Sequence, residues 1–325
     1  MILAGDVGGT NTRLALFHPD KKLFTPVEVE VFPSQRYESL AAVVQEFLKT
    51  REKTIAYACF GVAGPVINGR CETPNLAWVI DGSELSGRFD LKRVEVINDL
   101  EANAYGISLL KPDDFSVLNR GEPYPGGQGA LISAGTGLGE AGLYWKGDHY
   151  EPFPSEGGHA SFAPRNKVEI ELLLYLMHQF DHVSFERVLS GPGLNNIYRF
   201  LRDTGKGEES ADIAEALSKE DPAAVISKAA HEGTCELCER ALDLFAAIYG
   251  AEAGNLALKF MAVGGLYIGG GIAPKIIQKL GEGTFMKAFT AKGRMQPLLE
   301  PVPVRVILNE NTALLGAAWK GIRAR

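Results

Sequence analysis

The sequence predicts an α/β protein built as two domains, and three observations predict it. Its 325 residues exceed the roughly 150 that one domain usually takes. Apolar runs of strand length alternate with longer amphipathic segments along the chain. Several of those runs stop at glycine turns, and 37 glycines with 46% hydrophobic residues suit a chain that turns tightly between buried strands and helices.

The opening run leads into Gly5-Asp6-Val7-Gly8-Gly9-Thr10-Asn11 and leaves through Leu14-Ala15-Leu16-Phe17, with a break at His18-Pro19-Asp20. The second run is short and apolar, so it reads as a strand, and the unit is strand, turn, strand. A dinucleotide fingerprint needs GxGxxG opening a helix and a P-loop needs GxxxxGK[ST]; neither is present. Glycines here remove the Cβ atoms that would hold a polyphosphate off the backbone. Thr10, Asn11 and the turn's N–H groups supply neutral donors, and Asp6 can hold a hydrated cation. The pattern suggests a magnesium-nucleotide site, with a purely structural turn as the alternative.

Val27-Glu28-Val29-Glu30-Val31 alternates strictly, which predicts a half-buried strand, and residues 37–48 predict a helix. A strand over 55–62 is stopped by Ala63-Gly64-Pro65, and 83–89 reads as helical. Val94-Glu95-Val96-Ile97 is a strand that passes into a helix at Asn98-Asp99. Beyond a turn-rich stretch at 123–127 the opening pattern recurs: a strand at 130–134, then Gly135-Thr136-Gly137-Leu138-Gly139, then a strand at 141–145. The echo suggests a duplication in which two related hairpins face one ligand. A third turn, Gly269-Gly270-Gly271, ends Leu266-Tyr267-Ile268, and Pro274 is placed for the first turn of a following helix. Residues 311–319 look like an amphipathic helix.

The 33 basic and 40 acidic side chains leave a net charge of −7, and the basic residues are scattered, which argues against a nucleic-acid partner. No apolar run approaches the roughly 18 residues that span a bilayer, and no signal-peptide pattern opens the chain, so the expected location is the cytoplasm, away from membranes. A mean hydropathy of −0.02 agrees. Four cysteines are too few for a secreted disulfide framework. Cys235-Glu-Leu-Cys238 forms CxxC, but Cys235, Cys238, Leu242, Phe245 and Tyr249 follow helical spacing, so the thiols read as core, with metal or redox chemistry as the alternative.

Phosphoryl transfer to an alcohol needs fixed phosphates, a placed hydroxyl and a carboxylate to accept its proton. Asp99 is the leading candidate, because it follows an apolar strand and ligand sites open at the strand C-termini of α/β sheets. It can equally be the cap of the helix that follows. Glu156 and His159 flank a glycine pair in Ser155-Glu156-Gly157-Gly158-His159 and suit vicinal hydroxyls, or else decorate an exposed loop. Glu186 lies ahead of a helix starting near Pro192 and can simply balance Arg187.

The ordered set GDVGGTNTR at 5–13, INDLEANAYG at 97–106, AGTGLG at 134–139, EGGH at 156–159, ERVLSGPGL at 186–194 and GGGI at 269–272 resembles the bacterial glucokinase family. The resemblance covers most of the chain. It implies a two-domain actin-like (ribonuclease H-like) sugar-kinase fold with a cleft between domains that closes over sugar and ATP. It also implies ATP-dependent phosphorylation of glucose at the 6-hydroxyl. By matching motif, Asp99 is the general base and Asn98 a sugar ligand. Glu156, His159 and Glu186 bind other hydroxyls, with Asn75 a further sugar contact. Gly5, Asp6, Val7, Gly8, Gly9 and Thr10, with Gly135, Thr136, Gly137 and Gly139, hold ATP phosphates. Asp6 orients hydrated Mg2+, and Gly269, Gly270 and Gly271 pass the adenosine. The expected domains are a small one at 1–110, completed by a C-terminal helix at 311–325, and a large one at 111–310. A homodimer is expected.

The related ROK family carries a cysteine-rich zinc motif after its GH pair, whereas here His159 is followed by Ala-Ser-Phe-Ala-Pro-Arg. The resemblance therefore points to the zinc-free branch. The alternatives are a kinase for fructose or mannose and a non-catalytic sugar-sensing regulator. The regulator is disfavoured because the base and both phosphate turns are intact, and because the first turn leaves no room ahead of it for a helix-turn-helix.

Overall fold

The computed structural model describes residues 1–18, 24–51, 55–73 and 75–323. Pro19 and Asp20 of the expected break, Pro74 and the last two residues of the 311–325 segment lie outside the described residues. The chain divides into two compact units, one of residues 1–114, 148–154 and 309–325, the other of 115–147 and 155–308.

In the first unit, strands β1 (Ile2–Val7), β2 (Asn11–Phe17), β3 (Glu28–Pro33) and β4 (Tyr57–Val62) are followed by a small sheet of β5 (Val66–Ile67), β6 (Arg70–Glu72) and β7 (Val79–Asp81), then by β8 (Arg93–Asn98). The main sheet runs β3-β2-β1-β4-β8, with β1 antiparallel to β2 and parallel to β4. Ile2 to Ala4 of β1 and Leu14 to Phe17 of β2 are continuously apolar because both faces of this sheet are covered. Leu3, Leu14 and Leu16 pack with Val43 and Phe47 of helix Leu40–Leu48. Ala4, Ala15 and Phe17 pack with Ala102 of helix Asp99–Ile107 and with Leu314 and Ala317 of helix Thr312–Arg323.

Two expectations are corrected here. Helix 37–48 begins only at Leu40, because the Ser39 hydroxyl accepts the Ala42 N–H and caps it. The alternating strand is real, but its valines are not the buried set: Val27, Val29 and Val31 are 42%, 45% and 52% exposed. β3 is an edge strand whose buried side chain is Phe32, with Glu28 partly covered and Glu30 exposed. Arg51, stacked on the Phe47 ring, neutralises both glutamates at 2.5 and 2.9 Å.

The second unit repeats this plan. Strands β9 (Phe115–Asn119), β10 (Gly129–Ala134) and β11 (Leu138–Trp145) precede β12 (Tyr150–Ser155), whose residues through Pro154 group with the first unit, and then β13 (Gly265–Gly269) and β14 (Val304–Ile307). The order β11-β10-β13-β14 matches β2-β1-β4-β8: an antiparallel hairpin, then two parallel neighbours. Each hairpin turns through three residues, 8–10 and 135–137. The expected echo is therefore an echo of topology.

Helix Glu236–Phe260 fills the core of this unit, and Cys238, Leu242, Phe245 and Tyr249 are buried along it. Cys235 departs from the expected stripe. It is the residue ahead of the helix, and its sulfur accepts the Cys238 N–H at 3.3 Å, a cap rather than a helical position. All four cysteines are free thiols. Among the described residues no cluster of three or more metal-ligating side chains occurs, and no helix is long and apolar enough to cross a membrane. Pro274 also departs: it lies in a turn ahead of helix Ile277–Gly281, because Lys275 and Ile276 both donate back to the Ile272 carbonyl.

Helices Asp99–Ile107 and Thr312–Arg323 meet through glycine. A Cβ on Gly316 would collide with the Ala102 carbonyl oxygen, and one on Gly106 with that of Thr312. Substituting Gly316→Ala should therefore destabilise the chain by about 1–3 kcal/mol through overpacking, although alanine is the better helix former. Urea unfolding measures this; a midpoint equal to or above wild type would refute the close crossing.

Candidate active site

In the first unit the site begins at the β1–β2 turn. Gly5 and Val7 lie within β1, and a side chain on Gly5 would strike the Phe60 ring, so packing alone requires that glycine. The accessible part is Gly8, Gly9 and Thr10. Ser34, which the sequence reading missed, fixes it: its hydroxyl donates to the Gly8 carbonyl at 2.7 Å, its N–H to the Thr10 carbonyl at 2.9 Å, and its oxygen meets the Thr12 hydroxyl at 3.0 Å. Ser34 and Thr12 are fully buried, so these bonds act without competition from water. Gly9 is partly exposed and Thr10 exposed, so this backbone is reachable from solvent. Asn75 closes over the turn, since a Cβ on Gly9 would lie 2.9 Å from the Asn75 Cβ.

Asp99 joins Asp6 beside this turn. Gly61 of β4 lets the start of helix Asp99–Ile107 approach the sheet, a Cβ there falling 2.7 Å from that of Ala102. The question of which residue caps this helix has a clear answer. Asn98 is the cap, its Oδ1 accepting the Leu100 and Glu101 N–H groups at 2.9 and 3.4 Å, while its Nδ2 donates to the Gly64 carbonyl at 3.0 Å. Asp99 is the first helical residue, and its Oδ1 accepts the Leu100 N–H at 2.9 Å. Burial pushes Asp6 up to about 6; the Asp99 charge adds to this and Arg13 opposes it. Burial raises Asp99 as well, against hydrogen bonds from the Leu100 backbone, its own backbone and the Asn98 side chain.

In the second unit the Gly135–Gly137 turn is gripped by the ERVLSGPG segment. The Gly191 N–H donates to the Gly135 carbonyl at 2.8 Å, and the Glu186 carboxylate accepts the Leu138 N–H at 3.0 Å. A Cβ on Gly137 would lie 2.5 Å from Glu186 Oε2. Glu186 does not balance Arg187, which instead stacks on the Phe180 ring at 4.2 Å. The short 3-10 turn Gly157–His159 reaches the same place: a Cβ on Gly158 would collide with the Leu138 carbonyl oxygen. That turn presents Glu156 and His159 to solvent with their side chains 3.9 Å apart. Gly135–Gly137, Glu156, His159 and Glu186 are thus brought together around one residue, Leu138.

The third glycine turn abuts β10. Gly270, at φ +82°, sits where a side chain would strike the Ala134 carbonyl, and Ile272 donates to that oxygen at 3.3 Å. Gly269 is buried inside β13 and Gly139 lies within β11 opposite Ser133, so neither presents a side-chain surface. Gly135, Thr136 and Gly271 line a cavity of about 610 Å³, completed by Gly191, Pro192, Ala223, Ser227, Ile272 and Lys275. The walls from 191–194 and 221–227 were not anticipated; the SGPG sequence, with Ser190 capping and Pro192 in the first turn, was their one visible signal.

The fold, two units of matching strand order each carrying a glycine turn in its hairpin, is the two-domain architecture of the actin-like class. Comparison with known proteins narrows this. The family profile described as Glucokinase matches residues 3–322. The glucokinase of Nostoc punctiforme is 45% identical, covering 98% of each chain. The crystal structure of a glucokinase from an Antarctic psychrotroph superposes with a TM-score of 0.87 at 34% identity, covering 99% of this chain and 98% of that one. A ROK-family glucokinase from Streptomyces griseus, crystallised with glucose and AMPPNP, shares the fold at a TM-score of 0.66 and 18% identity, covering 99% of each. This chain belongs to the glucokinase family.

Asp6 provides a test of the site's electrostatics. Its proton affinity is raised in the folded chain, so its contribution to stability is complete below about pH 4 and is lost as the pH rises through 6. At pH 7 without nucleotide, Asp6→Asn should therefore be more stable than wild type by on the order of 2 kcal/mol, the gap closing toward pH 4. Denaturant titrations at the two pH values measure it, and a variant no more stable at pH 7 would show that the carboxylate is not strained there.

Proposed function

We propose that this chain transfers the γ-phosphoryl group of ATP to the 6-hydroxyl of glucose, with Asp99 as the base that takes the hydroxyl proton. The observation that carries this reading is the division of labour at the start of helix Asp99–Ile107. Asn98 does the capping, so the helix does not need Asp99 as its cap, and burial at the end of a strand strengthens this carboxylate as a base. Asn98, beside Asp99, is the residue that hydrogen-bonds the sugar. Glu156, His159 and Glu186, converging on Leu138, hold the other hydroxyls, and Asn75 adds a contact.

The 8–10 turn offers glycine backbone that a phosphate can reach, and the cavity at Gly135, Thr136 and Gly271 is within the volume usual for a small-molecule site. These are the supports for phosphates at both turns and for adenosine passing Gly269, Gly270 and Gly271. Asp6, half-buried without a hydrogen bond and crowded by Asp99, fits a cation, and it is the residue that would orient hydrated Mg2+. The metal, when bound, offsets phosphate charge. The Streptomyces griseus structure supports a sugar and a nucleotide on this fold. The reading extends to a cytoplasmic homodimer that supplies glycolysis, as the family resemblance implies.

A coupled assay over glucose, fructose and mannose tests the substrate, with glucose expected to have the highest kcat/KM. Asp99→Asn should lower turnover about 100- to 10,000-fold while glucose still binds, because the amide can hydrogen-bond but cannot accept the proton. A variant keeping more than about a tenth of wild-type turnover would remove Asp99 from this role.

A further inference from the structure

Glu140 lies on β11 opposite Ile132, on the face that packs the core, and is 1% exposed. Among the described residues it alone has buried side-chain polar atoms, both carboxylate oxygens, with no hydrogen-bond partner. A buried carboxylate without a donor from the protein is costly, and the surroundings must answer for it. Two groups crowd it. One is the backbone of Gly157, where any Cβ would collide with Glu140 Oε2. The other is Glu252 of helix Glu236–Phe260, equally buried but supplied with donors, accepting from Asn255 Nδ2 at 2.7 Å and Lys259 Nζ at 3.1 Å. Of two buried acids, the one without donors is the one that keeps a proton, and its O–H can be given to the other.

We propose that Glu140 is a positioning residue: held as a neutral acid between Glu252 and Gly157, it seats the turn that carries Glu156 and His159, and its ionisation unseats that turn. The inference rests on the reading of this turn as part of the sugar site. Glu140 itself touches no substrate.

The charges around it agree. Burial first and the Glu252 carboxylate second push Glu140 up to about 7, with Lys259 opposing. Tyr249 on the same helix is held neutral by burial, and the charge of Glu140 adds to that effect. Lys292, pushed down to about 8 by burial, is spent on the Ala251 carbonyl and Asn255 Oδ1 and faces Glu252. Arg165 and Glu169 pair with each other. From the turn itself, Ser155 Oγ is committed to the Gly157 N–H at 2.9 Å. The turn is thus seated below pH 7 and released as the pH rises through it, so glucose affinity falls in the same window. Ionisation of Asp6 and Asp99 acts on turnover with the opposite sign, which makes equilibrium binding the quantity to read.

Calorimetric titration of glucose into the full chain, without nucleotide, from about pH 5.5 to about pH 8.5, tests this. The wild-type Kd should rise about tenfold with a midpoint near 7. Glu140→Gln, neutral at every pH and still able to donate to Glu252, should abolish the rise and hold the low-pH affinity. A wild-type Kd that does not change with pH, or a Glu140→Gln variant that keeps the wild-type pH dependence, overturns the proposal. If that variant does not fold, Glu252→Gln decides: removing the neighbouring charge should move the midpoint to lower pH, and an unmoved midpoint overturns the proposal. Glu156→Gln and His159→Ala at pH 6 examine the underlying reading separately. Weakened glucose binding there supports the sugar site, and unchanged binding overturns it whatever Glu140 does.

Discussion

The peptide at Leu138 is the point on which the second unit's chemistry depends. Its N–H is bonded to Glu186, and its carbonyl leaves no room for any residue but glycine at position 158. One backbone unit thereby sets the positions of an acidic side chain 48 residues downstream and of a polar turn 20 residues downstream. Neither contact uses the Leu138 side chain, which is buried in the core and ties the arrangement to the sheet. Backbone contacts of this kind are stiff, because shifting them means shifting the strand.

The first unit solves the same problem with different materials. There the hairpin turn is held by a buried hydroxyl, Ser34, from a segment that follows the edge strand. In both units a strand-turn-strand leaves short glycine-rich backbone at the end of a two-sided sheet, and a segment from elsewhere in the unit pins it. The repeated element is the hairpin and its parallel neighbours. The pinning devices are individual.

This difference explains what was legible in the sequence. The turns, the strand-to-helix junction at Asn98-Asp99 and the acid-rich loops declare themselves locally, because glycine, capping residues and polar breaks in apolar runs each have a local physical cause. Their partners do not. Nothing near Ser34 distinguishes it from a surface serine, and Glu140 is one acid in an apolar run whose meaning depends on Glu252, more than a hundred residues away. The valines of 27–31 misled because alternation shows that two faces differ without saying which is covered, and Arg51 reverses the usual answer by neutralising the glutamates. Helical spacing from Cys235 to Tyr249 likewise cannot tell a helix residue from the one that caps it.

The crossing of Asp99–Ile107 with Thr312–Arg323 bears on how the chain is made. The sheet that contains β1 has one face covered by Val43 and Phe47, which emerge early from the ribosome. The other face, with Ala4, Ala15, Phe17 and Cys59, is covered in part by Ala313, Leu314 and Ala317, which follow the second unit in the chain. Domains ordinarily fold in the order of their translation. Here an apolar sheet face of one unit must wait uncovered while the entire second unit is synthesised.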